Sequence, residues 1–564
     1  MLLHTVARLP RLLCSLSLIT HLVLAGTRYK SRPDLSPPLL NITIPPTDAV
    51  ESGYLFVAPF NAISEPAHRA PQQPGAYILT TDGDLVWSGF TYFSIWTGNF
   101  QAARWNGQDV LAAFEGAHNG LYGHGHGHHV LLNQRYETIR ELRAGNHLLS
   151  DKHEFEIVNE TTALIQIHHP EVRDLRNFTP DRRQHWIVNA IFQELDIEDG
   201  SVVFEWRSLD HVGPEESALP LVNDQAGIGH NSSTAWDYFH INSVTKGADG
   251  HYLLSARHAS TIYKINGTDG TVIWRLGGSR SDFTLGPEVE FGFQHHPRYL
   301  HDDLDSTTIT LFDNAVYGSE SGGGGDKEVQ IYPYSRGKTL RLDHTARTAT
   351  LIQAFIPPDY LLVKSQGSLQ TLPNGNVLIN WGSEGAVTEF TADGEPIYHA
   401  YLDSWPLNRG DVQNYRAFRA NWTGYSSEVP AVAAFQRDAA GSGTEVYVSW
   451  NGDTETVTWR VWYQGIEEGD ELIVGGNSLG GVEEDGQHIE APRKGFETVI
   501  HVPYPVRSVR AEAIGADGKI LASSGRVDVQ SFEILEYLLE EEDGSWSEDT
   551  VRSRPLFVQD PSWL

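Results

Sequence analysis

The chain has 564 residues, 53 of them glycine, with 10% aromatic content and a formal net charge of -32 from 73 acidic against 41 basic residues. That length exceeds one ordinary hydrophobic core and points to two domains. The charge argues against nucleic acid or an anionic membrane as a main partner, since both need clustered Lys and Arg; it fits an acidic solvated surface.

At the N-terminus Arg8 and Arg11 precede the apolar run LLCSLSLITHLVLAG, closed by the small residues Ala25 and Gly26, which reads as a secretory signal peptide over residues 1–26. His21 inside the run speaks against a membrane anchor, and no later stretch has the apolar length of a transmembrane span. Cys14, the only cysteine, lies within that signal, so the mature chain is expected to carry no disulfide. Sequons at Asn41, Asn159, Asn177, Asn231, Asn266 and Asn421 agree with a glycosylated, secreted product. The proline-rich TRYKSRPDLSPPLLNITIPP that follows reads as an extended strap along the outside.

From about residue 45 to residue 425 the chain is a succession of short runs with the strand period of two, and few windows show apolar residues at i, i+3 and i+4. The class is all-β. His240 to Gly278 is the clearest unit: HINSV, HYLLSAR, TIYKI and TVIWRL make four strands in about forty residues, the size of one β-propeller blade. A turn followed by a strand ending in an aromatic recurs at Asp82-Gly83, Asp199-Gly200, Asp269-Gly270 and Asp393-Gly394, where Asp-Gly predicts a type I′ turn between outer strands. The spacing predicts a six-bladed propeller over residues 27–427. EVYVSWNGDTETVTWRVWYQG and the runs after it predict an immunoglobulin- or fibronectin-like β-sandwich over 428–527. An acidic tail, 528–564, follows with one short helix in it.

Histidines recur where inner strands begin: His153 in DKHEF, His240 in FHINS, and His295 with His296 in FQHHP. A propeller brings one blade position to a ring about its axis, and burying several imidazoles without purpose costs desolvation. Asn242 shares the inner strand of His240. Arg257, aimed into such a channel, would bind a planar or tetrahedral oxyanion, or else bridge two blades. The tract HGHGHH, His124 to His129, offers flexible imidazoles without a carboxylate or cysteine partner, so it reads as a glycine-rich inter-strand loop; no metal ligand is assigned, and metal binding there stays open as the lesser reading. The run Gly322 to Gly325 lacks the Lys and Ser/Thr of a phosphate cradle and reads as a surface loop.

SRPDLSPP, DKHEF, SLDHV, the WDYFHINSV…LLSARH…IW.LGG run and FGFQHH together resemble the fungal branch of the arylsulfotransferase family, over nearly the whole mature chain. The resemblance implies a secreted six-bladed propeller that moves a sulfuryl group between phenolic compounds through a sulfohistidine, with no nucleotide or other cofactor. Its partners would be a phenol and an aryl sulfate. It places the covalent histidine at His295, with His296 beside it as the other candidate, and gives Arg257, Asn242 and His240 the transferring oxygens. His153 or His240 would handle the phenol proton. Two other classes remain open: a quinoprotein-like dehydrogenase, because GTDGTVIWRL resembles tryptophan docking repeats, and a non-catalytic secreted propeller that binds a glycan or a protein.

Overall fold

The run VLAAF at Val110–Phe114 shows how most of these strands are built. Leu111 and Ala113 join one apolar cluster, with Phe56, Ile78 and Trp87, while Val110 and Ala112 join another, with Phe155, Ala163 and Ile165. Alternate side chains leave opposite faces of a strand, so a strand covered on both faces is apolar at every position. The computed structural model describes residues 29–61, 71, 73–93, 96–223, 225–317, 329–403, 412–438, 442–465 and 487–531. The expected signal peptide, the tetraglycine run and the short helix of the acidic tail lie outside the described residues.

The described chain is all-β, with helix confined to single turns such as Ser208–His211. Six antiparallel sheets follow one another. The second runs Thr97–Trp105, Gln108–His118, Gly125–Leu132, Thr138–Leu142; the third runs Asp151–Val158, Thr162–Val172, Trp186–Asp196, Val202–Arg207. The fourth runs Ile241–Lys246, Tyr252–Ala256, Thr261–Ile265, Val272–Gly277, as expected for the His240 to Gly278 unit. The fifth starts with His295–Asp302 and carries Thr284–Leu285 in parallel on its far edge.

The ends of this region are stitched to distant partners. Phe418–Ala420 supplies the first strand of the first sheet by pairing with Tyr54–Val57, and Leu40–Ile44 adds a fifth strand to the sixth sheet by pairing with Pro396–Leu402. The expected strap therefore contains a sheet strand. Apolar clusters fill each gap between consecutive sheets, and a further one, with Leu55, Val57 and Tyr77 against Leu378, Val387 and Tyr398, packs the sixth sheet on the first. Fully buried anchors such as Trp206 contribute about 3–5 kcal/mol each, judged by truncation to alanine.

After residue 430 a three-stranded sheet, Ala431–Gln436, Thr444–Ser449 and Glu497–Val502, and a second sheet built on Thr456–Gly465 and Val506–Gly515 share one core around Val446, Trp459, Val461, Ile500 and Ala511. Among the described residues no helix is long and apolar enough to cross a membrane.

Two local expectations need correction. At the four Asp-Gly turns only the glycine has positive φ, between 76° and 88°, and the pairing slips by a residue just beyond, for example between Ile78 and Leu79. These are turns closed by a left-handed glycine and a bulge; a type I′ turn would also push the aspartate into the left-handed region. The HGHGHH tract is mostly strand, Gly125–Leu132. Its glycines serve close approach: a Cβ on Gly127 would stand 2.1 Å from the Glu115 carbonyl oxygen across the sheet.

One buried carboxylate ties the inner strands together. Glu154 Oε1 accepts from Arg416 Nη1 at 2.7 Å and Oε2 from Arg298 Nη2 at 2.9 Å, while the Val244 amide donates to Oε2 at 3.3 Å. Arg416 Nη2 also donates to the Asn242 carbonyl at 3.0 Å, and Arg298 Nη1 to Ser243 Oγ at 2.8 Å. Burial opposes ionisation of Glu154, but Arg298 and Arg416 outweigh it and hold its pKa below the usual carboxylate value. Replacing Glu154 with Ala leaves a buried guanidinium unpaired and is expected to cost about 3–5 kcal/mol, read by denaturant unfolding. Because the folded pKa is depressed, the stability from Glu154 is complete above its unfolded pKa of roughly 4.3 and disappears as pH falls through the folded value; the wild-type minus variant difference should shrink only in that acidic window.

Candidate active site

In four consecutive sheets the pairing of the first strand with the second skips at the same place, between Gly98 and Gln101, Asp151 and Phe155, Ile241 and Ser243, and His295 and Arg298. A bulge re-aims the side chains it contains. His153, Asn242 and His296 all lie in these bulges. His240 and His296 have φ of 49° and 54°, a region histidine tolerates better than most residues but still pays strain to occupy. At His240 the surroundings compensate: its amide donates to Asp237 Oδ1 at 2.9 Å and its carbonyl accepts from the Arg257 amide at 2.9 Å.

Two aspartates organise the histidines on one side of the site. Asp237 Oδ2 accepts from His240 Nδ1 at 2.5 Å and from His124 Nε2 at 2.8 Å, and the Asp237 carbonyl accepts from His258 Nδ1 at 2.6 Å. Asp151 Oδ1 accepts from the amide and the Nδ1 of His153, and its Oδ2 accepts from the Gly125 amide at 2.6 Å and faces His168 Nδ1 at 3.4 Å. The rings are in mutual contact: His124 and His168 stack at 4.3 Å, His240 and His258 lie 4.6 Å apart, and His153 meets His240 edge-on at 4.9 Å and Tyr415 at 5.3 Å.

Burial raises the pKa of both carboxylates, but His153 and His168 hold Asp151, and His240 and His124 hold Asp237, well below the carboxylate range. Burial pushes His153 and His258 down to about 3 against the pull of the neighbouring aspartates, and it lowers Lys152 to about 8. Only His168 moves upward, because Asp151 outweighs its burial. This half of the site is therefore two anionic carboxylates among largely neutral imidazoles.

His295 and His296 point to different surroundings, as consecutive residues in a strand do. His295 Nδ1 is 2.7 Å from Asn314 Oδ1. The amide nitrogen of Asn314 donates to the Val363 and Gln366 carbonyls at 2.9 and 3.0 Å, which fixes its oxygen toward the ring. His295 must then carry its proton on Nδ1, and the lone pair is on Nε2. Burial, reinforced by Arg257, holds this imidazole well below its ordinary pKa, so it is neutral. His296 Nδ1 donates to the Leu369 carbonyl at 3.0 Å, and its ring lines a cavity of about 340 Å³ with Gln101, Arg298, Tyr299 and Phe418.

The Arg257 guanidinium lies 4.1 Å over the Phe293 ring, donates from Nη2 to the Lys364 carbonyl at 3.1 Å and from Nη1 to His258 Nε2 at 3.1 Å. Asn242 is fully buried and its amide donates to the Gln294 carbonyl at 2.8 Å, which positions the backbone just before His295. His153 and His240 are thus in contact, Arg257 is backbone-bonded to His240, and Arg257 and His153 both act electrostatically on His295. His296 faces the cavity on a different side.

Reading the sequence missed Asp151, Asp237, His168, Asn314 and Tyr415; it placed His258 beside Arg257 on a route to the axis, and it set His124 aside with the glycine-rich tract. Asp151 and Asp237 had a signal: each stands two or three residues before a singled-out histidine, in DKH and DYFH. Asn314, nineteen residues after His295, had none.

Residues 101–402 match the arylsulfotransferase (ASST) family model. No curated protein matches the chain. Solved structures overlap it loosely. A protein of unknown function from Bacteroides caccae is 10% identical with a TM-score of 0.35, over 65% of this chain and 98% of that one. A mutant of the GH43 protein BlXynB from Bacillus licheniformis is 10% identical with a TM-score of 0.27, over 76% and 88%. The WD40 domain of SCAP from fission yeast is 9% identical with a TM-score of 0.18, over 66% and 89%. Overlaps this loose carry no argument about function. The family match spans more than half of the chain, and the protein belongs to the arylsulfotransferase family.

Proposed function

We propose that this protein is a secreted aryl-sulfate sulfotransferase that works through a sulfohistidine on His295, in a closed six-bladed propeller over residues 27–427 followed by a β-sandwich over 428–527. The family match supports sulfuryl transfer with aryl substrates. The cluster between the sixth and first sheets and the pairing of Phe418–Ala420 into the first sheet support closure. Secretion after removal of residues 1–26 is supported by the sequons, none of which is buried: Asn159, Asn177, Asn231 and Asn421 are exposed, and Asn41 and Asn266 are half-buried.

The observation that carries the reading is the fixed tautomer of His295. Its Nε2 lone pair attacks the sulfur of an aryl sulfate, the S–O(aryl) bond breaks, and a phenolate leaves. Arg257 supplies positive charge for the oxygens of the transferring group, which spread charge in the transition state as in phosphoryl transfer. In the second step the acceptor phenol oxygen attacks the same sulfur, the N–S bond breaks, and the phenol proton passes to a neutral imidazole. His153 and His240 suit that role, since each gives its Nδ1 proton to a buried aspartate and keeps Nε2 as the base, the arrangement of an Asp-His pair.

With 4-nitrophenyl sulfate, wild type should release nitrophenolate in a stoichiometric burst when no acceptor is present, and His295→Ala should show no burst; a burst retained in His295→Ala overturns the assignment. Arg257→Ala should keep the burst but slow it by about 100-fold or more, the size of losing one charge-stabilising donor. Because the His295 pKa is lowered, its neutral form persists as pH falls. The burst rate should therefore stay flat from pH 7 to pH 5, across the roughly 6.5 at which an ordinary imidazole would protonate and lose its nucleophilicity. A fall centred there would show that His295 is not the desolvated nucleophile.

A further inference from the structure

We propose that His124, His168, His240 and Asp237 form a binding site for one first-row transition-metal dication of the zinc class. The four residues come from three sheets. His124 immediately precedes Gly125–Leu132, His168 lies in Thr162–Val172, and Asp237 with His240 leads into Ile241–Lys246. One ligand atom from each lies within 4.8 Å of all the others. Three imidazoles and one carboxylate are a donor set for zinc and its neighbours in the first row, and thiolate is not required.

Independent features of the cluster point to a ligand. His168 is fully buried at its side chain, and its Nε2 has no hydrogen-bond partner, although its ring stacks on His124 at 4.3 Å and lies 5.1 Å from that of His240. An imidazole without a partner in a dry interior forfeits desolvation energy unless something binds it. Its other nitrogen faces Asp151 Oδ2 at 3.4 Å, the carboxylate-histidine arrangement that orients a metal-ligating ring. Meanwhile Asp237 Oδ2 receives two imidazole N–H groups from His124 and His240, and a dication would replace those protons as the shared positive partner. His126 and His128, in the same tract as His124, take no part: His126 is exposed, and His128 faces Glu115 at 3.6 Å.

This inference rests on the cluster alone and stands whether or not the sulfuryl-transfer reading does; with the ion bound, His240 is a ligand and the proton-accepting role in that reading falls to His153. The test uses the full chain, stripped with a chelator, then titrated with Zn²⁺ by calorimetry and with Co²⁺ by visible absorption. Wild type should bind one equivalent and give the intense d–d bands of a low-coordinate cobalt site. His168→Ala and Asp237→Asn should each weaken binding by about 100-fold or more, since they remove ligands where loss of an outer partner already costs 10–100-fold. The double variant His126→Ala, His128→Ala should bind like wild type. His124→Ala, at the partly exposed edge of the cluster, gives a ligand loss with the smallest risk to folding, checked by thermal unfolding. No bound metal in the wild type, or unchanged affinity in folded His124→Ala and His168→Ala, overturns the site.

Discussion

The structure depends on keeping the buried Glu154 charged among the inner strands. A lone carboxylate there would be untenable, and it persists because Arg416 and Arg298, from segments far apart in sequence, converge on its two oxygens. The same contacts fix the histidine-bearing strands. His153 is the neighbour of Glu154, Tyr415 the neighbour of Arg416, and Asn242 lends its carbonyl to Arg416 while its side chain holds the Gln294 carbonyl beside His295. The site therefore sits on the backbone positions that the ion network holds most firmly, as a site needing fixed geometry requires.

Around that frame the interior divides by charge. One part gathers Asp151 and Asp237 with their ring of histidines and is anionic where the imidazoles are neutral. The other joins His295, Asn314 and Arg257 and presents a neutral imidazole beside a guanidinium. In the proposed reaction an anionic donor would be attracted to the second part and repelled by the first, and a phenolic proton would be accepted by the first. His153 and Tyr415 stand between the two, with Tyr415 5.3 Å from His153 and 6.5 Å from His295. A dication in the anionic part would add to the compensation that Lys152, His168 and the imidazole N–H groups already give the two carboxylates.

Much of the strand pattern was legible because local chemistry writes it. Period-two runs such as TIYKI and the Asp-Gly turns mark outer strands wherever they fall, and Thr261–Ile265 forms as that pattern predicts. Features set by distant partners were not legible. The three-residue strand Phe418–Ala420 has no period to read, and its place is decided by Tyr54–Val57 more than 360 residues earlier. The glycines of HGHGHH suggested a loop, whereas they permit two backbones to touch. His153, His240 and His295 could be singled out by repetition, and Asp151 and Asp237 stand within three residues of two of them, but Asn314, which sets the His295 tautomer, answers only to three-dimensional placement. The left-handed backbone at His240 and His296 is likewise invisible until the bulges are seen.

The most direct test of His295 as the nucleophile is to locate the transferred group. Wild-type protein loaded with an aryl sulfate, quenched and digested under alkaline conditions that preserve an N-sulfo bond, would be sequenced by tandem mass spectrometry across the Phe293 to Arg298 peptide. A sulfuryl group on His295 is the result expected from the Asn314-fixed tautomer. A sulfuryl group on His296, whose ring faces the separate cavity, or on no residue of this peptide while phenol is turned over, would contradict it.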